Sequence, residues 1–477
     1  MEWEFIRLKT NGNLSEGRNK IPVPTKPFIL LSFILLTSVI YFIFVPLFND
    51  LSIKSKIDPN LYDVLDSGNS VDVYISGYNL HLSNCKRVWQ FGNLTICKTI
   101  IKSKSELEQI ASNNKVLSIY MTNYRATFPM FKISNIKEYN FTDIDIDNTF
   151  LHVSGRYTGK GITIAVIDTG IDYLHPDFFK NNKTIIKTLV SCIYKSNNSC
   201  IVYNITNWNY TQLYNLYLWE KQYKEQYGEF VFLDESGHGT HVSGIIVGQG
   251  NINPKYKGIA TDSELVIIKA FHSDGTATIE NILDALEWCY YNCSKYNVKI
   301  LSCSWGATIP SNGNDPITLA INKIVIDKKI WVFVAAGNSG NYPGSITVPA
   351  ISDKVVTIGA WDCYKNKLAW FSSLGPTKTL NVKPDFVSCG VMIVAPKSQF
   401  VDFPDYITIN NSYVALSGTS MATPTVSACA ADFIEYYRTK YGRDPSLNDF
   451  IEFEKVNSIK LNFQKDWITG YGIIQCL

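Results

Sequence analysis

Hydrophobic and polar positions divide the chain into three stretches with different periods. From Phe28 to Val45 the sequence FILLSFILLTSVIYFIFV carries no charge, and Pro46-Leu47-Phe48 prolong the apolar run. A helix needs about 20 such residues to cross a bilayer core. A secretory signal has an apolar core of only about 7–15 residues and a small-residue cleavage site, and no such site follows here. The pattern predicts a transmembrane signal-anchor over residues 28–48. The tail before it, residues 1–27, holds Arg7, Lys9, Arg18, Lys20 and Lys26. That bias favours a cytoplasmic N-terminus, with everything after Asn49 outside.

Residues 60–147 read as a small α+β module and a linker. Val71–Ser76 and Val116–Thr122 alternate like strands. Between them Ser103 and Glu106 have the spacing of a capping box that opens a helix. Asp143–Thr149 is a polar stretch suited to a linker. Residues 148–477 then alternate strands with helices. Strands are predicted at Ile162–Ile167, Glu264–Phe271, Lys299–Trp305, Ile330–Ala336 and Val355–Ala360. In Thr278–Tyr291, the residues Ile279, Ile282, Leu283, Leu286 and Cys289 share one helical face, and Ser420–Arg438 reads as a last long helix. Near-continuous apolar strands joined by helices predict an α/β fold, a doubly wound and mostly parallel sheet covered on both faces. Residues 181–233 interrupt it as a polar, Tyr- and Asn-rich insertion.

Composition changes this picture little. The formal net charge is +2, and no Lys/Arg block stands out, which argues against nucleic acid as a partner. All 11 cysteines lie beyond residue 49. Cys85 with Cys97, and Cys192 with Cys200, read as short disulfide loops of an oxidising compartment, with buried thiols as the alternative. Cys289 and Cys293 pair only if the helix ends between them, and the odd total leaves at least one thiol without an intrachain partner. Glycosylation acceptors begin at Asn93, Asn140, Asn182, Asn197, Asn204, Asn209, Asn292 and Asn410. They fit a glycoprotein surface facing outward.

The candidate chemistry gathers at strand ends, where such sheets place their reactive groups. Asp168 ends the first strand of the large domain. His238 and His241 lie in GHGTHVSG, at the start of a helix after the insertion. Asn338 follows the strand IWVFVAA, and Ser420 sits in SGTSMATP at the mouth of the last helix. Singly, an Asp or Ser here is as well explained as a cap, and a His as a satisfied polar residue. These four segments, in the order Asp, His, Ser, resemble the signature regions of the subtilase family of serine proteases. Ser304-Trp305-Gly306, Phe371–Pro376 and Lys383-Pro384-Asp385 add secondary matches, and the resemblance runs from about Lys160 to Ser427.

The resemblance implies a subtilisin-like fold and a serine endopeptidase acting on extended polypeptide. Ser420 would be the nucleophile, His238 its base and Asp168 the group that holds the imidazole tautomer. Asn338 and the Ser420 N–H would bind the oxyanion, and Ser304, Trp305 and Gly306 would form the edge that pairs with substrate backbone. His241, His175 and Asp177 take structural roles. No cofactor is required, and structural calcium in surface loops is allowed. The module before residue 150 resembles the family's propeptide, an intramolecular inhibitor removed by self-cleavage in the Met130–Thr149 region, which would release the enzyme from its membrane. The rival is a catalytically silent, membrane-tethered interaction protein with the same fold; the intact set of four residues weighs against it. An acid-active relative with Glu in place of His is disfavoured by GHGTH. A metal hydrolase is disfavoured because His238 and His241 have no third ligand at suitable spacing.

Overall fold

The computed structural model describes residues 45–128, 156–196 and 199–477. The chain forms two units, residues 1–54 and 55–477. In the first, Val45–Lys54 is a helix. The expected membrane segment 28–48 lies outside the described residues except for its last positions, which open this helix. Among the described residues no helix is long and apolar enough to cross a membrane. The expected linker at Asp143–Thr149 and the proposed cleavage region also fall outside the described residues.

The second unit begins with a four-stranded antiparallel sheet, ordered β2-β3-β1-β4. Its strands are β1 (Val71–Tyr78), β2 (Arg87–Phe91), β3 (Leu94–Ile101) and β4 (Val116–Met121). The β2–β3 hairpin was not legible as a pair of strands in the sequence. Helix α1 (Lys104–Ala111) is capped by the Ser103 side chain, which accepts from Glu106 N at 3.2 Å. The reciprocal half of the expected box differs: the Glu106 carboxylate accepts from Lys102 N at 2.8 Å. After β4 the chain makes one more short strand, β5 (Arg125–Thr127).

The large domain is built on a nine-stranded sheet. Its central strands are β6 (Thr163–Asp168), β7 (Ile186–Ser196), β9 (Glu264–Lys269), β11 (Val298–Cys303), β13 (Trp331–Ala335) and β14 (Val356–Asp362). They run parallel in the order β7-β9-β6-β11-β13-β14. Antiparallel β8 (Ser199–Asn204) extends the β7 edge, and β15 (Lys367–Leu368) and β16 (Phe386–Cys389) pair with β14. Period-two alternation sends Ile164 and Val166 of β6 into one core and Ala165 and Ile167 into the other. Helices α3 (His238–Val247) and α6 (Thr419–Tyr441) fill the first face. Helices α4 (Ile279–Asn292) and α5 (Pro316–Lys328) fill the second.

One face of the small sheet joins the large domain: Tyr74, Trp89, Phe91, Leu94 and Ile96 pack into the core of α4 and α5. Charge fixes that contact. Arg87 pairs with Asp284, Lys98 with Glu280, and Trp89 Nε1 donates to Asp284 at 2.6 Å. Disulfides join Cys85 to Cys97 and Cys192 to Cys200, as the sequence suggested. Two further bridges, Cys363–Cys389 and Cys429–Cys476, join residues too far apart for spacing to reveal. Helix α4 ends at Asn292, yet Cys289 and Cys293 remain thiols, buried like Cys303. The insertion folds into β7, β8 and helix α2 (Tyr210–Tyr227), which is opened by an Asn209–Gln212 capping box.

Candidate active site

Topology brings the candidate residues to one end of the sheet. Strands β6, β11 and β13 are parallel neighbours, so Asp168, Ser304 and Asn338 leave the sheet side by side. Asp168 Oδ1 accepts from Thr169 N at 2.8 Å and from His238 Nδ1 at 2.7 Å. Both partners of that ion-pair geometry are fully buried. A carboxylate acceptor on Nδ1 holds the proton there and leaves Nε2 as the basic nitrogen. Nε2 has no partner among the described residues.

The entry to α3 aims the imidazole. Gly237 sits at φ 85°, where a side chain is strained, and a Cβ there would lie 2.6 Å from Phe403. A Cβ on Gly239 would lie 2.2 Å from the Gly170 carbonyl oxygen, so the helix can approach the Asp168 loop only as glycine. The N-cap side chain is absent, and buried Asp234 replaces it. Its carboxylate accepts from Ser236 N, Gly237 N, Thr240 N and Thr240 Oγ1 at 2.7–3.0 Å. Sequence reading missed Asp234, because it lies three residues before the N-cap position Gly237, where no capping pattern would look for it.

Ser420, 4% exposed, stands in the first turn of α6. Its hydroxyl donates to the Ser304 carbonyl at 2.7 Å rather than to His238. Asn338 Oδ1 accepts from Thr419 N at 2.9 Å and Thr419 Oγ1 at 2.8 Å. A backbone N–H can only donate, so the oxygen must face Thr419, which turns Nδ2 toward Gly418. A Cβ on Gly418 would come 3.2 Å from Nδ2. His241 lies apart: Nε2 meets the carbonyls of Ile393 and Val414 at 3.0 and 3.1 Å. Burial, with the neighbouring His238, holds its pKa down to about 3, so it stays neutral. Asp177 accepts from Tyr413 OH and Asn251 N, and His175 Nε2 meets Ser412 O, which are structural ties.

Ser304, Trp305 and Gly306 lead into strand β12 (Gly306–Ala307). Trp305 is buried against Phe271, and a Cβ on Gly306 would lie 2.2 Å from Thr347 Oγ1. Opposite β12 lies β10 (Thr276–Thr278). The groove between them holds β5 of the small module, antiparallel to both: Ala126 pairs with Ala277 and with Ala307, and Thr127 with Thr276 and with Gly306. Phe128 then lays its ring on His238, centroids 3.9 Å apart at 21°. A cavity of 430 Å³ opens beside Phe128, lined by Glu235, Asp274, Val401, Phe403, Ile407 and Leu416 among others.

Residues 159–452, more than half of the chain, match the subtilase family. The chain belongs to the subtilase family. Subtilases as a family are serine endopeptidases; the chain spans little more than half the length of the first curated relatives it matches, 57% and 51%. It is 32% identical over 290 residues to the serine protease AprX of Bacillus subtilis, an alignment covering 57% of either chain. It is 30% identical over 249 residues to subtilisin DY of Bacillus licheniformis, covering 52% of this chain and 78% of that one. Its fold is similar to that of the CspB protease of Clostridium perfringens, at a TM-score of 0.56 and 19% identity, covering 69% of this chain and 97% of that one. Among the described residues of this subtilase no group of three or more His, Cys, Asp and Glu is arranged to hold a metal ion.

Proposed function

We propose that this subtilase hydrolyses peptide bonds by nucleophilic attack of Ser420, as a zymogen whose N-terminal module blocks its own groove. The buried 2.7 Å contact between Asp168 and His238 Nδ1 carries the catalytic reading, because it leaves Nε2 as the base. For attack, the Ser420 hydroxyl turns from the Ser304 carbonyl to His238 Nε2. Proton transfer to Nε2 and attack on the substrate carbonyl form a tetrahedral intermediate, which collapses to the acyl-enzyme as the peptide C–N bond breaks and His238 gives its proton to the leaving amine. Asn338 Nδ2 and the Ser420 N–H donate to the oxyanion; in subtilisin, loss of such an Asn donor lowers turnover by about 10²–10³. Polypeptide would enter as the middle strand between β10 and β12, the place now held by Arg125–Thr127. Water then cleaves the acyl-enzyme with His238 again as base.

The zymogen reading rests on the same contacts. A strand in the groove and an aromatic ring on the base exclude substrate. Self-cleavage within Met130–Thr149 would part the catalytic domain from the apolar segment 28–48. That segment, with its preceding basic residues, supports a single-pass anchor and an extracytoplasmic catalytic domain. The test is labelling with a fluorophosphonate, comparing the native chain with Ser420→Ala, together with N-terminal sequencing of the product. Labelling of the native chain alone, with a new N-terminus within Met130–Thr149, supports the proposal. Equal labelling of both chains removes Ser420 as nucleophile, and labelling of neither leaves the interaction-protein reading.

A further inference from the structure

The insertion 181–233 carries one fully buried carboxylate, Glu220, on the inner face of α2 beside Leu213 and Leu216. A buried carboxylate is costly unless its oxygens are satisfied, and here both are. Oε1 accepts from Tyr173 OH at 2.6 Å. Oε2 accepts from Phe232 N at 2.7 Å and from Leu233 N at 3.3 Å. The same short strap is gripped from its other side by Lys269, also buried, whose ammonium donates to the carbonyls of Phe230 at 2.9 Å and Leu233 at 2.7 Å. Glu220 and Lys269 each favour the other's charged form, while burial, the larger effect, raises the Glu220 pKa and lowers that of Lys269.

Both ends of this clamp reach the candidate active site. Lys269 ends β9 directly across from Asp168 in the parallel register. Tyr173 follows Asp168 in the same loop, and Ile171 N donates to Phe232 O at 3.2 Å. On the other side the strap runs straight into Asp234, whose carboxylate takes four hydrogen bonds from the start of the His238 helix. A displacement of Phe232 and Leu233 thus moves the loop after Asp168 and the cap of α3 together.

We propose that Glu220 is a positioning residue for the Asp168–His238 pair, and that the insertion is a working part of the site through this one side chain. The inference rests on the catalytic reading above. Glu220 touches no reacting atom; it sets the distance between two groups whose contact must hold near 2.7 Å. Loss of that alignment lowers turnover more than substrate affinity, because the groove edges β10 and β12 take no bond from the clamp.

The test measures kcat and KM on a peptide substrate for Glu220→Ala, Glu220→Gln and Tyr173→Phe. It also records the downfield proton resonance of the Asp168–His238 hydrogen bond in a Ser420→Ala background. Glu220→Ala is expected to lose at least about 30-fold in kcat with KM within threefold, and to broaden or shift the resonance. Glu220→Gln, which keeps one acceptor for the strap N–H groups, recovers most of the turnover. A folded Glu220→Ala with kcat within threefold of the parent and an unmoved resonance overturns the proposal. If Glu220→Ala does not fold, Tyr173→Phe decides: it removes one hydroxyl, and an unchanged kcat and resonance refute the clamp. A parent chain without peptidase activity would sink the protease reading, while the resonance would still report on the positioning.

Discussion

If the N-terminal module inhibits the chain as proposed, the ring of Phe128 is the contact on which that state turns, and Phe128→Ala tests it. Phe128 is 5% exposed, stacked on His238 and set edge-on to Phe271 with centroids 5.4 Å apart. Removing a fully buried Phe side chain costs about 1.5–3 kcal/mol of apolar burial. The two ring contacts add about 0.5–1.5 kcal/mol. Together these give about 2–4.5 kcal/mol, or roughly 30- to 1,600-fold in the equilibrium that uncovers His238, at about 1.4 kcal/mol per decade. The paired strand β5 stays in place in the variant, so the lower figure applies. The assay is the initial rate of fluorophosphonate labelling of the intact, unprocessed chain. An increase of about 30-fold is expected over the parent. A rate within threefold of the parent, or a slower one, would mean that Phe128 does not guard the site.

Three other outcomes follow from named groups. Burial, with nearby Glu435, pushes Asp432 up to about 9, and neither carboxyl oxygen has a hydrogen-bond partner among the described residues. A carboxyl raised above its unfolded value contributes most below about pH 4 and loses that contribution as pH rises toward about 9. Asp432→Asn should therefore raise Tm increasingly between about pH 4 and pH 9 in scanning fluorimetry; a Tm difference independent of pH would refute this. Asp234→Ala strands the N–H groups of Ser236, Gly237 and Thr240 at the start of α3, and should cost about 2–4 kcal/mol in urea denaturation. Turnover should fall with it, whereas Asp234→Asn should retain part of both. The Cys429–Cys476 bridge closes a span of 47 residues. Replacing both cysteines by Ala should lower stability by up to about 4 kcal/mol, read as a lower denaturant midpoint, while replacing buried Cys289 by Ser should not mimic that loss of a cross-link.

Much of this was open to reading along the chain. Strand cores such as Ile162–Ile167 and Ile330–Ala336 were legible because fully buried parallel strands are uninterrupted apolar runs. Observed boundaries differ by one or two residues, as at Thr163–Asp168 and Trp331–Ala335. Strands β2 and β3 escaped because Arg87 and Lys98 lie within them, and their charges read as surface positions. Those charges face Asp284 and Glu280 on α4, residues nearly two hundred positions away.

The candidate residues at the site, Asp168, His238, Ser420 and Asn338, were legible in the sequence, because each sits in a local motif with glycines or small residues suited to close backbone approach. Their order and the strand-then-loop pattern were enough to place them at one sheet end. Sequence also marked 181–233 as an insertion, yet only the fold showed Glu220 and Lys269 meeting across the strap that leads to His238. The same holds for Phe128: nothing in Arg125–Phe128 read locally distinguishes it from a strand end. Its role comes from pairing with Thr276–Thr278 and Gly306–Ala307. Local periodicity and backbone sterics act within a few residues and are written in order along the chain. Hydrogen bonds to a buried carboxylate, or a ring laid on an imidazole, depend on which distant segments the core brings together.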